Sequence, residues 1–160
     1  MQVVTVGNVV PDFECPSTAK STFKLADYRG RYGIVYFYPK DNTPGCTQEA
    51  QAFRDDYAQF TALDVWLVGV SRDSVRVHDG FKTKQGLPFE LLSDGDEALC
   101  HLFDVIKMKA MYGKQVRGIE RSTFLIGPDG VLLREWRKVK VKGHSQEVLQ
   151  VLTSLIGNPV

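Results

Sequence analysis

Two kinds of apolar pattern alternate along this chain. Gly33-Ile34-Val35-Tyr36-Phe37-Tyr38 is an unbroken β-branched and aromatic run, as expected of a buried strand, and Pro39 ends it by removing a ladder donor. A helix is predicted from Thr43 towards Phe60, then a second buried strand at Val65-Trp66-Leu67-Val68-Gly69-Val70. Ser71 to Asp73 opens the next helix, which runs to about Gln85 and stops at Gly86-Leu87-Pro88. Phe89 to Leu92 reads as a short strand, Asp96 to Phe103 as a short helix and Ser122 to Ile126 as a further strand. Gly127-Pro128-Asp129-Gly130 turns the chain into Val131 to Trp136, an antiparallel hairpin. The last helix, His144 to Leu155, presents Val148, Leu149, Val151, Leu152 and Leu155 as its apolar set. Near the start, a short strand is expected around Thr22 to Leu25, with Cys15 in an N-terminal hairpin. Gly113 and Gly118 bracket what reads as a loop.

This order predicts an α/β fold, a central mixed sheet with helices on both faces. The strand before Cys46, its helix and the Val65 strand form a βαβ unit, with the cysteine at the carboxyl end of its strand, where ligands bind in open sheets of this kind.

Composition narrows the class. The 160 residues are read as a single domain, residues 1–160, long enough to bury a core without disulfides. The formal charge of +1 and the 43% hydrophobic content point neither to disorder nor to a polyanionic partner, so no nucleic acid is expected. No segment approaches the roughly 20 apolar residues needed to cross a bilayer, and Met1 to Gly7 lacks the pattern of a secretory signal. Three widely spaced cysteines, Cys15, Cys46 and Cys100, match neither a metal site nor a disulfide framework, so a reducing compartment, the cytoplasm, is expected. His78, His101 and His144 are scattered, and each is expected to be solvated or capping, with no metal and no cofactor. Arg134 to Lys142 is basic around Trp136, and its alternation predicts a half-exposed strand running into a loop.

The candidate chemistry lies in Tyr38-Pro39-Lys40-Asp41-Asn42-Thr43-Pro44-Gly45-Cys46-Thr47. Thr43 is a good N-cap, Pro44 suits the first helical position, and Cys46 falls at the third. The unpaired N–H groups and positive dipole end of a helix favour thiolate over thiol at such a position, and a thiolate there can attack peroxides, disulfides or acyl groups.

Phe37 to Thr47 resembles the active-site segment of the peroxiredoxins, specifically the bacterioferritin comigratory protein or PrxQ subfamily. The likeness extends through Gly69 to Ser74, Leu92 to Asp96, Met111 to Gly113, Gly118 to Ile126 and Trp136 to Lys140. It implies a thioredoxin-like fold and thiol-dependent reduction of hydrogen peroxide and organic hydroperoxides. By the same resemblance, Cys46 matches the peroxidatic cysteine, Thr43 the threonine whose hydroxyl contacts thiolate and peroxide, and Pro39 the proline that shields the pocket. Arg121 matches the arginine brought beside the cysteine, and Glu49 a polar residue that holds this arginine. The chemistry asks for such groups independently. Charge grows on the departing oxygen, and the guanidinium of Arg121, with the backbone N–H groups of Gly45 and Cys46, can stabilise it. The Thr43 hydroxyl has lone pairs enough both to cap the helix and to meet peroxide.

One departure from the subfamily stands out. The resemblance implies a resolving cysteine either five residues after Cys46, where this chain has Gln51, or after Phe81, where it has Lys82. The preferred reading is a one-cysteine mechanism with thioredoxin, glutaredoxin or a small thiol as reductant. The alternative makes Cys15 or Cys100 an atypical resolver, Cys15 being the more exposed candidate and Cys100 a small hydrophobe in an apolar helix. A thiol–disulfide oxidoreductase shares the fold, but such proteins carry a second cysteine where Thr43 stands. A chaperone or redox-sensing module is a third class, and both monomer and homodimer are compatible with the sequence.

Overall fold

The computed structural model of the chain describes residues 3–157. It opens with a hairpin of β1 (Glu14–Ser17) and β2 (Ser21–Lys24), in which Cys15 faces Phe23. After a 3-10 turn at Leu25–Tyr28 come β3 (Gly33–Phe37), α1 (Pro44–Ala62), β4 (Trp66–Ser71), α2 (Val75–Gln85) and β5 (Glu90–Ser93). Because a helix separates each of these strands from the next, β3, β4 and β5 pair in parallel. The chain continues through α3 (Ala98–Leu102), β6 (Ile106–Met111), β7 (Lys114–Ile119), β8 (Ser122–Ile126), β9 (Leu132–Trp136) and α4 (His144–Ile156). The main sheet has the order β2-β1-β5-β4-β3-β8-β9, with antiparallel strands added on both sides of the parallel trio.

Strand alternation divides the core in two. Ile34, Tyr36 and Tyr38 pack on one face against Phe53 and Phe60 of α1, Phe81 of α2, and Val148 and Leu152 of α4. Val35 and Phe37 point to the other face, where Phe23, Leu25, Leu99, Phe103 and Ile119 cover them. The expected mixed sheet flanked by helices is found, with an uneven distribution: three long helices on one face, and α3, the 3-10 turn, the N-terminal segment with Val4 and Val10, and the base of the β6–β7 ribbon on the other.

The helix ends follow local chemistry. Ser74 caps α2 by accepting from the Val77 N–H at 3.2 Å, and Gly86, with φ of 63°, closes it. α3 is shorter than its apolar pattern predicts, because the Asp94 carboxylate accepts the Leu99 and Cys100 N–H groups at 3.0 and 2.8 Å and so fixes where it begins. The expected loop between Gly113 and Gly118 is instead an antiparallel ribbon with Met111 opposite Lys114. Tyr112 and Gly113 both take positive φ, 53° and 75°, which a two-residue hairpin requires, and a tyrosine in the first place hides the usual Asn-Gly signal. Arg117 ties this ribbon to the body through Glu97 at 2.7 Å. β9 is half-exposed, as its alternation predicts. Among the described residues, no helix is long and apolar enough to cross a membrane.

His144 is buried rather than solvated. Its Nε2 lies 2.8 Å from Thr123 Oγ1, and its ring stands edge-on to Phe53 and Trp136. Burial pushes its pKa down from 6.5 to about 4. The unfolded chain therefore binds this proton below pH 6.5 while the folded chain refuses it until about 4, so this histidine makes stability fall as pH falls through that window. His144→Gln is expected to flatten that part of the profile of unfolding midpoint against pH. Gly33 is needed for a different reason: a Cβ there would lie 1.8 Å from the Trp66 ring on the paired strand. Gly33→Ala is expected to cost about 2–3 kcal/mol, read as a lower midpoint in denaturant.

Candidate active site

Cys46 sits at the third position of α1, behind Thr43 as N-cap and Pro44 and Gly45 as the first two helical residues. The first main-chain helical bond to Thr43 O comes from the Thr47 N–H, so the Gly45 and Cys46 N–H groups have no carbonyl behind them in the helix. The sulfur is almost wholly buried, the residue being 2% exposed in the core on the α1 face. Arg121, between β7 and β8, reaches across from the sheet. Its Nη2 approaches Cys46 Sγ at 3.4 Å, and its Nη1 donates to Glu49 Oε1 at 2.6 Å. Cys46 and Glu49 lie one turn apart on α1, so one guanidinium serves both.

The electrostatics follow from burial. Burial pushes the Glu49 carboxyl up to about 7, against the charge and hydrogen bond of Arg121. Burial also opposes the Arg121 charge, but Glu49 and Cys46 outweigh it and its pKa is raised. Only one Glu49 oxygen is engaged, and Oε2 is buried without a partner among the described residues. Gly45 is part of the geometry, because a Cβ at this position would stand 3.1 Å from Arg121 Nη2.

The two residues expected to line the pocket do so unequally. Pro39 is half-buried and, with Arg121, borders an open cavity of about 1040 Å³ that also meets Met108, Val139 and Lys138. Cys46 is not on its wall; Arg121, which is, reaches the sulfur. Thr43 occupies the N-cap position, but its hydroxyl does not cap. It donates to Lys40 O at 2.7 Å, because the positive φ of Asn42, 65°, folds the loop back on itself.

The other cysteines are elsewhere. Cys15 and Cys100 both belong to the core on the opposite face of the sheet from Cys46. The expectation that Cys15 is exposed fails: its side chain lies on the covered face of β1, in the cluster of Phe23, Leu92 and Leu99, leaving it 3% exposed, and its thiol donates to Ser93 O at 3.3 Å. Burial pushes its pKa up to about 12, and burial with the nearby Asp94 carboxylate raises that of Cys100 further. All three cysteines are free thiols. Lys82 and Gln51 are engaged in polar contacts, with Glu90 at 2.9 Å and Gln85 at 2.9 Å.

Sequence reasoning missed a second polar cluster beside the site. His78, expected to be solvated or capping, is fully buried and meets Asp41 of the Cys46 loop, while His101 is exposed as expected. Asp41, Asp73 and His78 bring their polar atoms within 4.8 Å of one another. These atoms are engaged by internal partners, Tyr38 and His78 for Asp41, and Ser71 and the Asp41 N–H for Asp73, so hydrogen bonding accounts for the cluster. The residues were in plain view in the sequence, but nothing in their spacing announces that they meet.

Residues 6–134 match the AhpC/TSA family. The chain is 51% identical to peroxiredoxin Bcp of Bacillus subtilis, over 95% of this chain and 97% of that one. This chain is a peroxiredoxin of the AhpC/TSA family. Its likeness to solved peroxiredoxins is as close in three dimensions. The bacterioferritin comigratory protein of Xanthomonas campestris, solved as trapped intermediate and ligand complexes bearing on its alkyl peroxide reduction activity, superposes with a TM-score of 0.86 at 49% identity, over 91% of this chain and 92% of that one. A cysteine-to-serine mutant of Xylella fastidiosa PrxQ superposes with a TM-score of 0.92 at 43% identity, over 98% and 100% of the two chains. Peroxiredoxins of this Bcp/PrxQ kind are thiol peroxidases with a thioredoxin-like fold, and the chain is such an enzyme. Two mutants of the Xanthomonas protein replace cysteines separated by the same number of residues as Cys46 and Lys82 here.

The tight approach at Gly45 gives a direct test of the geometry. Gly45→Ala is expected to displace the Arg121 guanidinium and lower the second-order rate with hydrogen peroxide by about tenfold, with little change in unfolding midpoint.

Proposed function

We propose that the chain reduces hydrogen peroxide and organic hydroperoxides by a one-cysteine cycle, with Cys46 as the peroxidatic thiol and an external thiol as reductant. The observation that carries this reading is the approach of Arg121 Nη2 to Cys46 Sγ at 3.4 Å in the first turn of α1, with no other thiol on that face of the sheet among the described residues. The whole chain acts as one domain in this reading.

In the first step the Cys46 thiolate attacks one peroxide oxygen and the O–O bond breaks. Sulfur loses two electrons and becomes sulfenic acid, while the other oxygen leaves with the electron pair of the broken bond and takes a proton to become water or an alcohol. Arg121 and the N–H groups of Gly45 and Cys46 stabilise the charge growing on the departing oxygen. Thr43 spends its hydrogen on Lys40 O, which leaves its lone pairs to accept the peroxide O–H. Glu49 holds the guanidinium in place, and Pro39 borders the cavity beside Arg121. Val139, Met108 and Ala110 give that cavity apolar wall for an alkyl chain, which supports organic hydroperoxides as substrates.

The second step is attack of an external thiolate on the sulfenic sulfur: the S–S bond forms, the S–O bond breaks, and the departing hydroxide takes a proton from solvent to leave as water, giving a mixed disulfide. A second thiol then releases Cys46. Thioredoxin, glutaredoxin and a small thiol all supply this chemistry. Internal resolution is disfavoured because Lys82 and Gln51 occupy the subfamily's resolving positions, and because the sheet separates Cys15 and Cys100 from Cys46.

Intact mass after one equivalent of hydrogen peroxide, with dimedone present, tests the cycle. A dimedone adduct is expected in the wild type, Cys15→Ser and Cys100→Ser, and none in Cys46→Ser, which should also lack peroxidase activity. Loss of two hydrogens in the wild type that disappears in Cys15→Ser or Cys100→Ser would overturn the one-cysteine reading. Arg121→Ala is expected to slow peroxide reduction on the order of 100-fold, measured by stopped-flow at saturating reductant.

A further inference from the structure

The loop that delivers Cys46, from Pro39 to Thr43, is held by a polar network at the carboxyl ends of three adjacent parallel strands. Tyr38, just past β3, donates its hydroxyl to Asp41 Oδ1 at 2.6 Å. At the end of β4, Ser71 donates to Asp73 Oδ2, which also accepts the Asp41 N–H at 2.9 Å. His78 of α2 completes the set, with Nδ1 2.5 Å from Asp41 Oδ2 and Nε2 2.9 Å from Leu92 O in β5. A carbonyl can only accept, so Nε2 carries its hydrogen, and one proton lies between Nδ1 and Asp41. His78 is 0% exposed and Asp41 3%, so water does not compete for this contact.

We propose that His78, acting through Asp41, is a positioning residue that keeps the Cys46 loop closed and so sets the balance between reaction with peroxide and access by thiols. The inference rests on Cys46 being the peroxide-reactive thiol. At 2% exposure that sulfur suits a small peroxide aligned beside Arg121, but an attacking thiolate needs an open line to it. The loop and the first turn of α1 therefore open for reduction, and the Asp41–His78 contact is what opening has to break. Leu92 O anchors the far side of the ring, so the contact ties the loop to the sheet and not only to α2.

Two substitutions divide the ring's functions. In His78→Asn the amide reaches the position of Nδ1 and donates to Asp41; in His78→Gln it reaches the position of Nε2, keeping Leu92 and releasing Asp41. Two rates are measured on each reduced protein, oxidation of Cys46 by hydrogen peroxide and alkylation of Cys46 by N-ethylmaleimide, in a background with Cys15 and Cys100 changed to serine. His78→Gln is expected to lower the first and raise the second, each by about tenfold, while His78→Asn stays within about threefold of the parent. A loss of packing alone would move both variants alike. Equal effects of the two substitutions, or an unchanged alkylation rate in His78→Gln, would overturn the proposal. Tyr38→Phe removes a single oxygen from the network and serves where a histidine variant does not fold. It is expected to move both rates in the same directions as His78→Gln, and no change in either would count against the latch. Should the parent fail to react with peroxide, the peroxidase reading falls, while the alkylation rates still report on the latch.

Discussion

The architecture of the site turns on one guanidinium. Arg121 is drawn into a largely buried position where it faces a carboxylate and a sulfur one helical turn apart, and each group makes the burial of the others tolerable. Removing a charge from water costs several kcal/mol unless a partner is already in place, so Arg121, Glu49 and the first turn of α1 are interdependent. Gly45 belongs to the same constraint, since a side chain there meets the guanidinium. Much of the rest of the fold serves to bring residue 121, just before an antiparallel strand, beside residue 46, in the first turn of the helix that follows a parallel one. β3 does this by pairing with β8 directly, Phe37 opposite Ser122.

The sheet also separates the chemistry. Alternating side chains of β3 face two cores, and the cysteines are divided between them, Cys46 on one side and Cys15 with Cys100 on the other. The latter two are held as thiols by burial and by acidic neighbours, whereas Cys46 has a cation beside it. A chain with three thiols thus presents one of them in surroundings that suit a nucleophile. Lys82, where the subfamily places a second cysteine, is occupied by an ion pair with Glu90.

The network around Asp41 adds a second layer. It lies where the carboxyl ends of β3, β4 and β5 converge, the natural binding position in an open parallel sheet, yet its polar groups are turned inward onto one another. The loop before Cys46 is thereby fastened to the sheet, while Pro39 at its start borders the cavity.

Periodicity and local chemistry carried much of the fold from the sequence alone. The buried strands, the helix starting at Thr43-Pro44 and the stop at Gly86 follow from β-branching, capping and positive φ, all of which act within a few residues. The family motif, similarly local, marked Cys46 and, through resemblance, Arg121. What the sequence could not express was anything decided by side chains meeting across the sheet. The Tyr112-Gly113 turn lacked its usual residues, the Thr43 hydroxyl turned to Lys40, and Cys15 was buried because distant core residues cover its face of β1. His78 and His144 carry no local sign of burial, since burial is conferred by elements distant in the chain. Local backbone preference determined where strands, helices and the helix-start Cys46 fall, and tertiary packing decided which polar groups lose water and must find one another.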